Sequence, residues 1–525
     1  MSLEHSEDTA TIELELAFPP GEGLPESTDG LAVTILYHVD PARVGEYAAF
    51  RQGSLKLSRV EPGFQAPTAS DLFVRPLGDS YLSRRPLLFG PGEASGSVWV
   101  RREGSSIPLT IDGEVLLEGQ ELPAHALERG VVLNLADRVV LLLHRQPKSP
   151  QTHGQTFGMV GESTAMVRLR SEILRSADLD VPVFLQGETG TGKELAARAI
   201  HQASSRRDGS FLAVNLGAIP PALAASELFG SVKGAFTGSV KSQPGFFRRA
   251  EGGTLFLDEV GEAPPDLQVM LLRVLETGEI QPVGSHQTVQ TDVRLITATD
   301  ADLDAAVRAG SFRAPLLYRL TSGYEIRVPP LRERRDDIGR LLMEFLAEEL
   351  QALGEEPRRV FGDGFEEPWL PASVVARLAS YRWPGNVREL RNVARQLVIH
   401  SRDAGRARLG PQVERLLRAG ERDAEASAEG PPARPPRAIP RPELKEVLAR
   451  HGWQPSAAAA ELGISRSSLY ELVQRYPEIR QAKDLDREEI AAVLAELQGD
   501  VTAAAERLEV SAPALSRRML QLGLK

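Results

Sequence analysis

At 525 residues the chain exceeds what one hydrophobic core can organise and implies three or four domains. It has no cysteine, which excludes a disulfide framework or a cysteine-ligated metal, and its acidic start, MSLEHSEDTATIELEL, lacks the basic region and apolar core expected of a secretory signal. No apolar run reaches the ~18 residues a membrane helix needs, so a cytoplasmic protein with no membrane partner is expected, and the net charge of -11 confines any DNA contact to a local basic surface.

Residues 1–29, acidic and rich in Gly and Pro, read as a flexible leader. Residues 30–145 carry short β-rich runs separated by turns: LAVTILYHV, GSLKLSRV, GSVWVRREG, SIPLTIDG, GVVLNL and DRVVLLLH. That spacing predicts a β-sandwich. The run from Val139 to Leu143 is apolar throughout and is expected at the centre of its sheet. Two turns, LSR at 57–59 and LSRRP at 82–86, offer Arg59, Ser83 and Arg84, the guanidinium and hydroxyl donors that a doubly charged phosphate attracts. On these residues the region resembles a forkhead-associated (FHA) domain. The resemblance implies an FHA-like sensory sandwich that binds phosphothreonine, with a phosphothreonine protein or Ser/Thr kinase as partner. Ser58 stands where that family has Gly, Pro86 where it has His, and Asp112-Gly113 is the best match to its Asn-Gly.

A polar linker, QPKSPQTHGQT, occupies 146–156. From Phe157 strands alternate with helical stretches (Val181 to Gln186, Phe211 to Asn215, Thr254 to Leu257, Val293 to Thr299, Tyr324 to Val328), which predicts a parallel α/β sheet over 157–334 and a helical lid over 335–418. GETGTGKE at 187–194 follows the first of these strands. Gly187, Gly190 and Gly192 allow the backbone to curl its N–H groups inward, Glu188, Thr189 and Thr191 complete the loop, and Lys193 reaches the outer phosphates of ATP. Glu194 stands where the usual pattern has a hydroxyl for magnesium, so Mg2+ has to be held mainly elsewhere. GGTLFLDEV at 252–260 supplies that place: Asp258 for the metal shell and Glu259 to polarise the attacking water.

Another stretch, ELFGSVKGAFTGS at 227–239, is too glycine-rich for a core segment, and its Gly234, Ala235, Thr237 and Gly238 leave one aromatic, Phe236, on a nearly side-chain-free loop. With the two ATP motifs, this stretch makes residues 157–418 resemble the AAA+ domain of the bacterial enhancer-binding proteins that activate sigma-54 RNA polymerase. The resemblance implies that the loop from Gly234 to Ser239 grips the sigma factor. It also implies that Asn215 couples Glu259 to the ligand and that Thr299 and Asp300 sense nucleotide. Arg313 and Arg319 would reach a neighbouring subunit's ATP, and Arg388, in WPGNVREL, would contact ATP from the lid. Asp300 replaces the family's Asn, Ala314-Pro315 its acidic pair and Ser239 its last Ala.

Residues 419–441 read as an extended Pro/Ala-rich linker. After it AAAAELGISRSSL (457–469) returns as AAAERLEVSAPAL (503–515), each copy holding an Ala-rich helix, a short turn and a helix opened by Ser. The copies, 442–479 and 486–525, resemble the Fis-type helix-turn-helix. Expected DNA contacts are Ser465, Arg466, Ser467, Ser468 and Tyr470 in the first, and Ser511, Ala512, Ala514, Arg517 and Arg518 in the second. The combined expectation is a multidomain ATPase that binds upstream activator sites, assembles from dimer to hexameric ring, and remodels sigma-54 RNA polymerase. A regulator in which ATP drives only oligomerisation stays open as the alternative.

Overall fold

The computed structural model describes residues 30–50, 55–66, 74–102, 104–146, 155–235, 241–355, 368–402 and 404–428. Toward the C-terminus it describes 439–451, 485–497 and 501–511, with single positions 453, 458, 461, 462, 469, 472, 473, 476, 515, 518, 519 and 522. Residues up to Leu417 form one compact unit and those from Arg418 a second.

The first unit begins with two antiparallel sheets. One runs Tyr47–Phe50, Gly30–Tyr37, Val139–Gln146, Val131–Leu135, Leu109–Ile111, Glu114–Val115, and the other Leu55–Leu57, Leu87–Pro91, Val98–Arg101, Gly119–Leu122. Alternate residues of the first sheet, among them Val33, Ile35, Leu141 and Leu143, share one core with Leu57, Leu87, Phe89 and Val100 of the second. The apolar run from Val139 to Leu143 is central as expected, paired on both sides. Four strands escape the sequence pattern: Tyr47–Phe50, Leu87–Pro91, Glu114–Val115 and Gly119–Leu122. All are short, and the last three mix Gly, Pro, Glu or Gln into the run, which erases the period of two.

Next comes a five-stranded sheet, all parallel, in the order Phe211–Asn215, Thr254–Asp258, Arg294–Thr299, Val183–Gln186, Tyr324–Arg327. These are the expected strands to within two residues. Their register matters for function: Asn215 pairs with Asp258, and Gln186 with both Thr299 and Arg327, so the strands deliver their C-terminal ends along one edge.

The lid follows, with helices Ile338–Ala352, Ala372–Ser380, Asn386–His400 and Pro411–Ala428. The last of these corrects the expected linker, because the chain is helical to Ala428. RAGERDAEASA is rich in helix formers and meets no proline before Pro431, so the extended regime cannot begin at 419.

The lid's core is continuous with the outer face of the first sheet. Leu36, Tyr37, Val132, Val140 and Leu142 are buried in one cluster with Ile338, Leu341, Val375 and Leu378. Polar groups tie the same surface. Tyr37 Oη donates to Leu370 O (2.6 Å) and Ser373 N to Asp137 Oδ1 (2.6 Å). Gly339 permits the closest approach, since a Cβ there would lie 2.1 Å from Leu36 O.

In the second unit the repeat builds two separate cores. Ala458, Leu462 and Leu469 are buried in one, and their equivalents 46 residues on, Ala504, Leu508 and Leu515, in the other. Lys445 Nζ pairs with Glu509 across the two copies (2.7 Å).

Candidate functional site

The strand Val183–Gln186 runs into the glycine loop, and helix Lys193–Ala203 leaves it. Gly190 (φ 77°) and Gly192 (φ 104°) adopt the left-handed backbone that the curl requires. Lys193 is only 8% exposed. Its Nζ donates to Gly187 O (2.7 Å), which aims the ammonium back across the loop that would hold phosphates. Burial lowers its pKa, opposed by Asp258, Asp300 and Glu259, so three carboxylates converge on one ammonium. Burial likewise raises the Asp258 carboxyl, partly offset by the Glu259 N–H it accepts (3.0 Å). Glu194 is exposed and bonded to Arg198 (2.8 Å), one turn along its helix and not toward the loop.

Glu259 holds a left-handed conformation (φ 55°), a strained geometry for a residue with a side chain. Its carboxylate leans over Gly217, where a Cβ would be 2.4 Å from Oε2 and 3.3 Å from Asn215 Oδ1. Asn215 and Glu259 therefore border the same small space, while Asn215 Oδ1 also caps the turn Leu216–Ala218 through Ala218 N (3.1 Å). The two following positions also join the site. Thr299 O accepts from Gly187 N (3.2 Å), and Asp300 Oδ2 accepts from Thr189 Oγ1 (2.7 Å).

Asp258 is a fitting single carboxylate for Mg2+, which takes one or two protein oxygens with phosphate and water completing its shell. Among the described residues no cluster of three or more histidine or acidic side chains that could hold a metal is present.

The lid reaches the loop through WPGNVREL. Trp383 is fully buried, its Nε1 donating to Leu378 O (3.0 Å), and after Pro384 the helix begins at Asn386. Val387 N and Arg388 N both point at Gly190 O (3.0 and 3.4 Å), so Arg388 stands beside the cradle. Sequence reasoning missed two partners here. Asn386, fully buried at φ 52°, donates to Thr189 O (3.0 Å) and Glu188 Oε2 (3.1 Å) and accepts from Leu331 N (2.8 Å). Arg332 pairs with Glu188 (2.5 Å), and its hydrogen bond holds that carboxyl below the usual range. The visible signal was PPLRERRDD, a charge-dense turn at the start of the lid.

Arg313 and Arg319 are both exposed at helix Ala314–Thr321, where Pro315 occupies the first turn. Arg319 Nε also donates to Leu275 O (2.8 Å), in the last turn of helix Pro265–Thr277. Of the glycine-rich loop, the structure describes the base: Gly234 (φ 83°) and Ala235, stapled by the pairing of Ser231 with Gln243 and Val283. Phe236, Thr237, Gly238 and Ser239 lie outside the described residues.

In the N-terminal sheets the Arg59 and Ser83 loops meet: Arg59 N donates to Ser83 O (3.1 Å) and Arg59 Nη1 to Ser80 O (3.3 Å), with Arg84 exposed beside them. Ser105 Oγ joins them by donating to Arg85 O (2.9 Å). Asp112-Gly113 does not. It forms the hairpin turn between Leu109–Ile111 and Glu114–Val115, with Asp112 Oδ1 accepting from Val132 N (3.0 Å) in the field of Arg335 and Arg129. An Asp-Gly pair at positive φ is what a two-residue hairpin selects, and that need placed it at the lid side.

In the second unit Ser511 opens its helix through Leu515 N (3.0 Å). Arg518, an expected DNA contact, has Nε and Nη2 donating to Leu485 O (3.2 and 3.1 Å), beside Leu515, Met519 and Leu522 of the core. Ser465, Arg466, Ser467, Ser468, Tyr470, Ala512, Ala514 and Arg517 lie outside the described residues.

Comparison with known proteins covers most of this arrangement. Residues 159–326 match the sigma-54 interaction domain, 332–412 the AAA+ ATPase lid domain, and 436–476 and 481–522 the bacterial regulatory protein Fis family. The hydrogenase transcriptional regulatory protein HoxA of Cupriavidus necator is 41% identical over 318 residues, 58% of this chain and 62% of that protein. The C4-dicarboxylate transport transcriptional regulatory protein DctD of Rhizobium meliloti is 40% identical over 342 residues (65% and 68%). The DNA-binding transcriptional regulator NtrC of Azospirillum brasilense is 37% identical over 368 residues (70% and 70%). The chain thus spans 62 to 70% of the length of these relatives. No matched family model reaches the two N-terminal sheets. Among the described residues no helix is long and apolar enough to cross a membrane.

Proposed function

The chain belongs to the sigma-54-dependent bacterial enhancer-binding proteins, a family built on an AAA+ ATPase domain, and on that premise we propose that it hydrolyses ATP to remodel the closed complex of sigma-54 RNA polymerase from DNA sites bound by its C-terminal copies. The observation that carries this reading is the single sheet edge on which Lys193, Asp258, Glu259 and Asp300 converge, with Arg388 brought to it by the lid. Lys193 would leave its loop carbonyl for the phosphates. Glu259, held over Gly217, would draw the proton of the attacking water, and Arg313 and Arg319 would meet transition-state charge in a neighbouring subunit. Mg2+ at Asp258 would neutralise charge between the outer phosphates. The meeting of Arg59, Ser83 and Arg84 supports a phosphothreonine site on an FHA-like N-terminal domain that gates this activity.

One observation favours the alternative. Asp300 brings a carboxylate to Thr189 where phosphates would lie, a change that suits a regulator in which ATP drives assembly alone. The two readings separate in one experiment: binding of the full chain to sigma-54 with ADP and a trigonal fluoroaluminate, wild type against Thr237→Ala. A complex that needs both the analogue and Thr237 is expected. Absence of any complex, from protein that still hydrolyses ATP and binds DNA, would favour the alternative.

A further inference from the structure

The second antiparallel sheet brings five arginines to one of its ends. Strand Leu55–Leu57 runs out toward Ser58 and Arg59, Leu57 pairs with Leu87, and Leu88 pairs with Arg101. Because neighbouring strands run in opposite directions, the end of the first, the start of the second and the end of the third coincide there. The loop that carries Arg84 and Arg85 enters strand Leu87–Pro91 at that point, and Arg101 and Arg102 lie where strand Val98–Arg101 leaves it. Polar contacts fasten these turns into one surface. Arg59 N donates to Ser83 O, Arg85 N to Ser83 Oγ (3.0 Å), Ser105 Oγ to Arg85 O, and Ser105 N to Arg102 O.

What these arginines lack is acid. Arg43 and Arg75 of the same domain are ion-paired with Glu46, and Arg138 with Asp79. Among the described residues Arg59, Arg84, Arg85, Arg101 and Arg102 form no ion pair. Arg59 Nη1 reaches only Ser80 O, and Arg102 only Leu116 O and Ser105 O (3.3 and 3.4 Å). Arg101 lies over the ring of Trp99 at 5.3 Å, and Arg84 and Arg85 are exposed. Two carboxylates border the cluster, those of Glu61 and Glu118, whose backbone carbonyls accept from Ser58 N and Arg102 N. Five guanidiniums against two carboxylates make a basic face on a chain whose net charge is -11.

Like charges gathered without counter-charges repel one another, and a face of one sign concentrates an oppositely charged partner. One phosphothreonine carries a charge of about -2, which Arg59 and Arg84 with Ser83 would match. Arg85, Arg101 and Arg102 are then left for further acid. Val60 and Tyr81, 52% and 57% exposed, stand on the same loops. Apolar side chains set among basic ones suit a polypeptide, which offers acidic and apolar side chains together, better than a bare phosphate backbone.

We propose that the ligand of the Arg59 loops is a phosphothreonine peptide with acidic residues beside the phosphothreonine, and that Arg85, Arg101 and Arg102 read those residues through charge-assisted hydrogen bonds. The inference rests on the phosphothreonine reading above.

Titration of the full chain with three fluorescent peptides tests it: phosphothreonine flanked by glutamates, phosphothreonine flanked by glutamines, and the glutamate peptide without phosphate. The glutamate phosphopeptide should bind about tenfold tighter than the glutamine one, the sum of about three exposed ion pairs, with an advantage that shrinks as salt is added. In the double variant Arg85→Gln, Arg101→Gln the advantage should fall to about twofold, while affinity for the glutamine phosphopeptide keeps its wild-type value. Both positions are exposed and glutamine keeps most of the side-chain stem, so the sheet should stand. Equal affinity of the wild type for the two phosphopeptides would overturn the proposal, and so would an advantage that survives the double substitution undiminished. Displacement of the glutamate phosphopeptide by a short DNA duplex would also overturn it and give this face to nucleic acid. If neither phosphopeptide binds more tightly than the unphosphorylated peptide, the phosphothreonine reading itself fails.

Discussion

Replacing Asn386 by Asp separates the lid's hold on the glycine loop from its hold on Leu331. The variant keeps an acceptor for Leu331 N and keeps a side chain that tolerates φ 52°, so the turn into helix Asn386–His400 should survive. What it loses is the amide N–H pair that serves Thr189 O (3.0 Å) and Glu188 Oε2 (3.1 Å). A buried carbonyl left without its donor and a lost bond to a carboxylate cost about 2–4 kcal/mol together. The introduced carboxylate would also face Glu188 at 3.1 Å, a repulsion of roughly 5 kcal/mol at an effective dielectric of 20 if nothing moved. Arg332, already paired with Glu188, and rotation of the exposed part of that side chain relieve most of this. A net loss of about 3–5 kcal/mol follows for the AAA+ region, a drop of roughly 10 °C in its melting transition. The assay is thermal unfolding of the full chain by circular dichroism. A transition that superimposes on wild type would refute the claim that Asn386 ties the loop to the lid.

Three further outcomes are expected. Glu259→Gln should bind ATP and lose turnover by about 10²–10⁴, as for a missing general base; near-normal turnover would remove Glu259 from the chemistry. Arg59→Ala should weaken binding of a phosphothreonine peptide by about 10–100-fold, as for one charge-assisted bond, and equal affinity by titration calorimetry would leave the phosphate site elsewhere. His38 is buried with Nε2–H donated to Leu77 O (3.1 Å) and Nδ1 accepting from Asp40 N (2.9 Å), and burial holds its pKa below the ordinary value near 6.5. The unfolded chain then takes up a proton that the folded domain refuses, so stability is full above about pH 6.5 and declines as pH falls toward the folded pKa. Urea unfolding of the β domain should show that decline, flattened in His38→Gln; parallel profiles would assign the pH dependence to other groups.

The nucleotide site was legible because its residues are contiguous motifs whose chemistry needs fixed spacing: a cradle such as GETGTGKE and a strand ending in Asp258-Glu259 announce themselves in one dimension. The three inner strands of the parallel sheet were legible for a related reason, as apolar runs buried on both faces. The links between motifs were not. Arg332 meets Glu188 from 144 residues away and Asn386 from 198, and nothing local marks an arginine in LRERRDD as the partner of a loop glutamate. Asp112-Gly113 failed for the opposite reason. The dipeptide is a strong local signal, but for a hairpin turn, and in the fold that turn is tied to Val132 while the Arg59 loop is tied to Ser83.

The strand Val139–Gln146 carried one clue to the tertiary arrangement that the sequence reading used only in part. A strand in an antiparallel sheet with one wet face alternates apolar and polar residues, whereas VVLLL does not. Centrality in the sheet does not explain this, because a central strand still has two faces, and the core between the sheets takes only Val139, Leu141 and Leu143. Val140 and Leu142 need a second cover, and the lid provides it, with Val132 and Leu36 drawn into the same cluster. Exposing those side chains would cost about 1.5–3 kcal/mol each, which a free β domain on a flexible tether would have to bear in water. The residue choice at 140 and 142 therefore argues that docking on the lid is the resting condition of this chain. A ligand at the Arg59 loops would then act on a domain already held to the lid by that buried surface.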